Sequence, residues 1–307
     1  MKTCNICGKS LESSDKYHKT CLKKLFGVDY EPKIVFSLSN IDAEARETIG
    51  KLSISGVQPK LSMRLNKKKR ELEVTSEHGE YILKPQTQEY IHLPENENLC
   101  MTIAGLIGID VPSHGLFDLS DGTKAYIIKR YDRNKKVKIH QENFFQILDR
   151  KDKYNGSYEE IGFTLNNISA VPGLDVQLFY ERILYNFLIG NGDAHSKNFS
   201  IIYDNKDNKN VVRRLAPAYD IVCSRLVIPD EDDFALTLCG KKNKLSGAEF
   251  IQFANYLKIP DKSFKNRFVN EKSLFISQIH NSELSPEEKN VMEKIVEDRF
   301  QRIQKDI

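Results

Sequence analysis

The sequence predicts an α+β fold in two lobes, a smaller, mainly β N-terminal lobe and a larger helical C-terminal lobe. Three observations lead there. Short β-favouring runs follow one another at Leu61–Leu65, Glu71–Thr75, Glu80–Pro85, Val111–Phe117 and Ala125–Tyr131, with one helical segment, Glu95–Ile107, set among them. Beyond Tyr131-Asp132-Arg133 the pattern turns helical, most plainly over Val176–Ile189, where Val176, Phe179, Ile183, Leu184, Phe187 and Leu188 recur at helical spacing. A length of 307 residues, with 40% hydrophobic and 29% charged, suits one or two packed domains. The organisation expected is a Cys-rich cap over residues 1–30, a β lobe over 31–133 and a helical lobe over 134–307.

Composition narrows the function classes. A formal net charge of +3 is slight for this size and gives no argument for direct nucleic-acid binding. The run Lys67-Lys68-Lys69-Arg70, between two expected strands, reads as a solvated turn, and Lys241-Lys242-Asn243-Lys244 is a second local basic run. No signal peptide opens the chain and no apolar run approaches the ~20 residues that span a bilayer, so a cytoplasmic protein without membrane attachment is expected. Neither an internal repeat nor a long low-complexity segment is visible.

Of six cysteines, Cys100, Cys223 and Cys239 sit singly in apolar surroundings and read as core thiols. Cys4 and Cys7 form one pair of N/S ligands, His18 and Cys21 a second, each pair spaced by two residues. Two such pairs joined by a loop can close a tetrahedron around zinc. The other reading is a small reduced cap whose cysteines pack inward. From Glu31 to Thr48 the chain is polar, with a helix expected over Ile41–Ile49. Then comes Lys51 to Met63, in which Ser53, Ser55, Gly56, Val57 and Gln58 form a Gly-containing loop between expected strands. Such a loop can lay N–H groups and hydroxyls over phosphate oxygens. One glycine also fits a plain hairpin turn.

Lys84 closes an apolar strand, where a kinase places the lysine that contacts nucleotide phosphates. The helix from Glu95 to Ile107 has Leu99, Ile103, Leu106 and Ile107 on one face and acidic residues in its first turn. Glu97, with Glu95 close behind, is the expected partner of Lys84. Exposed glutamates complementing the helix dipole are the alternative. The lobe boundary and hinge are placed after the strand Ala125–Tyr131, so backbone groups of Lys129 to Tyr131 would meet an adenine edge, with Tyr131 against the ring. Between Gln141 and Ile189 the chain is expected to be helical apart from Gly156 to Leu174.

The helix ending at Gly190 is followed by Asn191-Gly192-Asp193-Ala194-His195-Ser196-Lys197-Asn198 and a short strand, Phe199–Tyr203. An Asp and, five positions on, an Asn in a helix-to-strand loop suit phosphoryl transfer of the protein-kinase type. The Asp accepts the proton of the attacking hydroxyl, and the Asn amide oxygen helps hold magnesium. A second strand, Val211–Leu215, can pair with the first and leads to Asp220, a second candidate magnesium ligand. Asp after Tyr at a strand end also serves as a turn cap. The tail from Ser246 to Ile307 is helical, with Ser285-Pro286 opening its last helix and Val291, Ile295 and Phe300 in the expected buried stripe.

Taken together, Ser53-Ile54-Ser55-Gly56-Val57-Gln58-Pro59-Lys60, Tyr81 to Lys84, Tyr131-Asp132-Arg133, Gln141-Glu142, Asn191 to Ser200 and Pro217-Ala218-Tyr219-Asp220 resemble the HipA-type serine/threonine kinases, toxins of bacterial toxin–antitoxin modules. The likeness runs from about Leu52 to the C-terminus, and Asn191 to Ser200 is its most specific part. It implies a two-lobed protein-kinase-like fold, ATP and magnesium as cofactors, Asp193 as catalytic base, Asn198 and Asp220 as magnesium ligands and Lys84 as phosphate lysine. It also places Lys197 near the transferring phosphoryl group and His195 in the same loop as a structural hydrogen-bonder. Autophosphorylation at one or both of Ser53 and Ser55, expelling the Gly-containing loop, is implied as well.

Full-length members carry a further N-terminal subdomain. Here only the Cys-rich segment precedes the kinase core, as in the shorter HipT-like toxins. The partners implied are a helix-turn-helix antitoxin, through which DNA contact would be indirect, and a third small protein supplying the missing subdomain. The expected activity is ATP-dependent phosphorylation of a protein, with an aminoacyl-tRNA synthetase as substrate. A small-molecule kinase and a non-catalytic kinase-like scaffold are the alternatives.

Overall fold

The computed structural model describes residues 2–12, 14–41, 59–134, 137–204, 211–260 and 268–306. The Gly-containing loop with Ser53, Ser55, Gly56, Val57 and Gln58 lies outside them, as does the helix expected over Ile41–Ile49 beyond its first residue. The chain divides into two compact units. One comprises Met1–Ile103, Pro112–Val137 and Asn281–Leu284, the other Ala104–Val111, Lys138–His280 and Ser285–Ile307. The fold is mixed α+β, built on antiparallel sheets and helices.

In the first unit, β1 (Leu61–Asn66), β2 (Glu71–Val74), β3 (Tyr81–Pro85), β4 (His114–Asp118) and β5 (Lys124–Lys129) form one antiparallel sheet in the order β2-β1-β3-β5-β4. Register follows the alternation of the side chains, with Leu83 opposite both Leu61 and Ile127. Leu61, Met63, Leu72, Tyr81, Leu83, Phe117 and Ile127 are buried on a face covered by Leu22, Leu25 and Phe26 of helix α1 (Lys19–Phe26). Gly27, at φ 72°, ends α1 in the left-handed conformation that glycine adopts without a Cβ clash. Lys84 lies across from Tyr126 on the strand registers, and helix α2 (Leu93–Leu106) meets that side of the sheet through Glu97 and Asn98. The run from Lys67 to Arg70 is an exposed turn between β1 and β2.

In the second unit, α3 (Tyr158–Ile168), α4 (Pro172–Ile189), α5 (Gly247–Tyr256), α6 (Lys272–His280) and α7 (Pro286–Gln304) accompany a three-stranded sheet. That sheet runs β8-β7-β6, from Val212–Leu215 through Ser200–Asp204 to His140–Asn143. Helix α4 starts on Pro172, whose missing N–H costs nothing at a first helical position, and buries residues all round from Val176 to Ile189. It is the unit's central element.

Three expectations are corrected here. Gln141 belongs to β6, not to a helix: Glu142 stands opposite Ile201, and the Tyr203 hydroxyl donates to the Glu142 carboxylate. A strand reading His-Gln-Glu-Asn carries no alternating apolar signal, so tertiary pairing decides its state. The stretch set aside as irregular contains α3, which a reciprocal capping box between Ser157 and Glu160 nucleates. The buried stripe of α7 is Met292, Val296, Arg299, Phe300 and Ile303, with Val291 45% exposed. A buried arginine, paired with Asp233, displaces the purely apolar register. Among the described residues no helix is long and apolar enough to cross a membrane.

Candidate active site

The loop after α4 is built by side chains that replace the missing helical partners. Gly190, at φ 76°, turns the chain out of the helix. Asn191 then reaches back, its Nδ2 donating to Asn186 Oδ1 at 2.8 Å, while its Oδ1 accepts the Asp193 N–H at 3.2 Å. The Gly192 N–H donates to Ser224 Oγ at 2.7 Å, and that hydroxyl donates to Glu231 Oε1 at 2.5 Å. A Cβ on Gly192 would lie 2.6 Å from the carbonyl oxygen of Asp232, so only glycine lets the loop approach this backbone. Burial, with the Asp193 charge adding to it, pushes the Glu231 carboxyl up to about 7.

Beyond Asp193 the loop closes on Asn198. The His195 N–H donates to Asn198 Oδ1 at 3.0 Å, and Asn198 Nδ2 donates to Asp220 Oδ2 at 3.2 Å. The strand pair β7–β8, with Leu215 opposite Ile201, brings the two side chains together, as the sequence suggested. Asp220 holds φ 60°, a left-handed conformation uncommon outside glycine. Asn198, Tyr219 and Asp220, with Asn186 and Asn191, line a pocket of about 250 Å³ including the solvent at its mouth.

His195 is buried and its pKa is lowered by that burial, against the pull of the Asp193 carboxylate, so the ring is neutral at pH 7. Lys197 is exposed, its Nζ 4.5 Å from the centre of the Phe145 ring, and its carbonyl accepts the Tyr219 hydroxyl at 2.9 Å. The half-exposed Asp193 takes a hydrogen bond on Oδ1 from the Tyr154 hydroxyl at 3.0 Å. Neither Tyr154 nor the Ser224–Glu231 support was predicted. Tyr154 lies in a polar loop far from Asp193 in sequence, and Glu231 carries no spacing signal. Asn186 and Asn191, polar residues at the end of an apolar helix, were the available hint.

In the first unit, Lys84 Nζ donates to Glu97 Oε1 at 2.6 Å and Oε2 at 2.9 Å. Both side chains are buried, at 7% and 1% exposure. The first-turn glutamates Glu95 and Glu97 are therefore buried rather than solvent-exposed dipole complements, and Glu97 reaches the lysine. The hinge expectation narrows. The Lys129 N–H donates to Ser113 O at 2.8 Å and the Arg130 N–H to Glu80 O at 2.8 Å, which removes both as donors to an adenine edge. Tyr131 is half-buried in the turn that follows β5. Cys4, Cys7, His18 and Cys21 come together at the other end of this unit's sequence, with their ligand atoms within 4.8 Å of one another. Cys100 and Cys223 are fully buried, whereas Cys239 is only half-buried.

The second unit's donor set suits a hard cation. Asn198 offers an amide oxygen and Asp220 a carboxylate, the ligand types magnesium takes, and the pocket they line is open to solvent.

Comparison with known proteins fits this geometry. The chain is 35% identical over 208 residues to a provisionally named kinase of Haemophilus influenzae, covering 63% of this chain and 59% of that protein. Its structure is similar to HipA of Shewanella oneidensis, solved with HipB and operator DNA, with a TM-score of 0.66 and 20% identity over 83% of this chain and 66% of HipA. It is also similar to the Helicobacter pylori proinflammatory kinase CtkA, with a TM-score of 0.58 and 14% identity over 90% of this chain and 96% of CtkA. Both likenesses place the fold among kinases. The chain spans about half the length of the curated relatives it matches. The sequence profile of the HipA-like C-terminal domain matches residues 52–299, and the chain belongs to that family.

Proposed function

We propose that this chain is an ATP- and magnesium-dependent protein serine/threonine kinase acting as the toxin of a toxin–antitoxin module. The observation that carries the reading is the meeting of Asn198 with Asp220 at 3.2 Å in the same loop-and-hairpin assembly that presents Asp193. Asp193 accepts the proton of the acceptor hydroxyl as that oxygen bonds to the γ-phosphorus and the bond to the bridging oxygen of ADP breaks. Asn198 and Asp220 are the residues that would hold magnesium, which when bound neutralises charge on the β- and γ-phosphates. Lys84, fixed by Glu97, contacts the nucleotide phosphates, and Lys197 faces the transferring group. Neutral His195 shapes the loop through its backbone.

The Gly-containing loop with Ser53, Ser55, Gly56, Val57 and Gln58 covers the phosphates and is itself phosphorylated at Ser53 or Ser55. The roughly −2 charge added there is repelled from the nucleotide phosphates, and the loop leaves. The family resemblance supports a protein substrate, most specifically an aminoacyl-tRNA synthetase, in the cytoplasm. The HipA structure with HipB and operator DNA supports a helix-turn-helix antitoxin that brings this chain to DNA indirectly; the third small protein of the module rests on the HipT-like resemblance alone.

The test is incubation of the purified chain with γ-labelled ATP, magnesium and a whole-cell extract. A labelled protein band, together with phosphopeptides carrying Ser53 or Ser55, is expected with wild type, and Asp193→Asn should lose both. Label appearing only in a small metabolite would move the substrate class, and full self-labelling by Asp193→Asn would remove Asp193 as the base.

A further inference from the structure

Three cysteines and a histidine in the first unit take no part in the chemistry above. We propose that Cys4, Cys7, His18 and Cys21 bind one structural zinc ion, and that the knuckle it closes holds the start of the helix that carries Glu97.

The ligand geometry already has the dimensions of a tetrahedral site. His18 Nδ1 lies 3.4 Å from Cys7 Sγ and 3.8 Å from Cys21 Sγ. With Zn–S about 2.3 Å and Zn–N about 2.0–2.1 Å, tetrahedral ligands stand ~3.6 Å apart. The histidine is oriented for the task. Its Nε2 lies 3.0 Å from the Ser10 carbonyl oxygen, which keeps the proton on Nε2 and turns the Nδ1 lone pair toward the sulfurs. Cys4 Sγ accepts the His18 N–H at 3.4 Å, a contact that favours a thiolate. Gly8, at φ 68°, closes the turn after Cys7, its N–H donating to the Cys4 carbonyl at 2.9 Å. All three cysteines are free thiols. Three thiolates and a neutral imidazole would surround the dication.

The knuckle connects to the helix through Asn5, which lies between the first two ligands. Its carbonyl oxygen accepts the Leu116 N–H of β4 at 3.0 Å and Asn98 Nδ2 of α2 at 3.3 Å. Gly115 permits this approach, since a Cβ there would lie 2.7 Å from Ile6 Cγ1. Asn98 Oδ1 faces His114 Nδ1 at 3.2 Å, so one side chain ties knuckle, strand and helix together. It directly follows Glu97, the partner of Lys84.

The experiment needs no activity. Full-length protein purified without chelator should contain stoichiometric zinc, and cobalt substitution should give the ligand-field and thiolate charge-transfer absorption of a tetrahedral site. Cys7→Ser with Cys21→Ser should lose the zinc completely. His18→Cys, which keeps four ligands, should retain it with a shifted cobalt spectrum, separating ligand loss from unfolding. Chelation should lower amide-exchange protection over Leu93–Leu106 while leaving Pro172–Ile189 unchanged. Zinc absent after reconstitution, or retained by the double serine variant, overturns the site; unchanged protection over Leu93–Leu106 overturns the link to the helix.

Discussion

Asp193 presents one oxygen, Oδ1, to a hydroxyl donor, and in this structure that donor is Tyr154 at 3.0 Å. In the mechanism proposed above the acceptor hydroxyl donates to this same carboxylate, so tyrosine and substrate compete for its partly exposed face. Tyr154 is 42% exposed, and its ring meets His195 edge-on at a centroid distance of 5.4 Å. Removing the hydroxyl alone keeps that packing. Tyr154→Phe should therefore lower KM for the phosphate acceptor by roughly two- to fivefold, the equivalent of one exposed hydrogen bond of about 0.5–1 kcal/mol. Steady-state kinetics at saturating ATP measure it, and a fall in kcat with unchanged KM would instead make Tyr154 an aid to positioning.

At the scale of elements, the end of α4 is clamped from α7. Asp233 pairs with Arg299 Nη1 at 2.5 Å and Arg302 Nη2 at 2.5 Å, and both guanidinium groups lie over the Phe187 ring, 4.5 and 4.9 Å from its centre. Phe187 stands in the last turn before Gly190, so this network fixes where the loop begins. Asp233→Asn leaves two arginines beside each other, one of them 2% exposed. Breaking a buried pair in this way costs about 3–5 kcal/mol, and urea unfolding should show a loss of that size with little change in m-value. None of this could be read from the sequence, where Arg299 is one charged residue among many between Pro286 and Asp306. What the sequence does announce is local. The capping box at Ser285, the Gly190 terminus, the strands from Leu61 to Lys129 and the Asp193–Asn198 spacing all follow from neighbours in the chain. The Lys84–Glu97 pair was legible because strand end and helix start follow each other. The contacts of Tyr154, Ser224 and Glu231 with the loop join distant segments and leave no periodic trace.

For the whole molecule, Glu231 makes stability depend on pH. Its ordinary value of 4.5 is raised to about 7 in the fold, chiefly by burial. Between those two values the folded chain binds more protons than the unfolded one, so this group's contribution falls as pH rises from about 4.5 to about 7 and is level above that. Thermal unfolding from pH 5 to 8 should show that decline in wild type, and Glu231→Gln, which never ionises, should remove it. Equal slopes in the two proteins would assign the dependence to other groups.

The left-handed backbone of Asp220 has a consequence for heat resistance. Glycine rests at φ 60° without strain, whereas a residue with a Cβ gives up roughly 1–2 kcal/mol there. Asp220→Gly and Asp220→Ala both remove the carboxylate and should both be inactive in the ATP assay, but the glycine variant should melt higher than the alanine variant by several degrees. A selection for thermal survival with no activity arm would then favour Asp220→Gly over Asp220→Ala, and the proteins it enriched at this position would be inert.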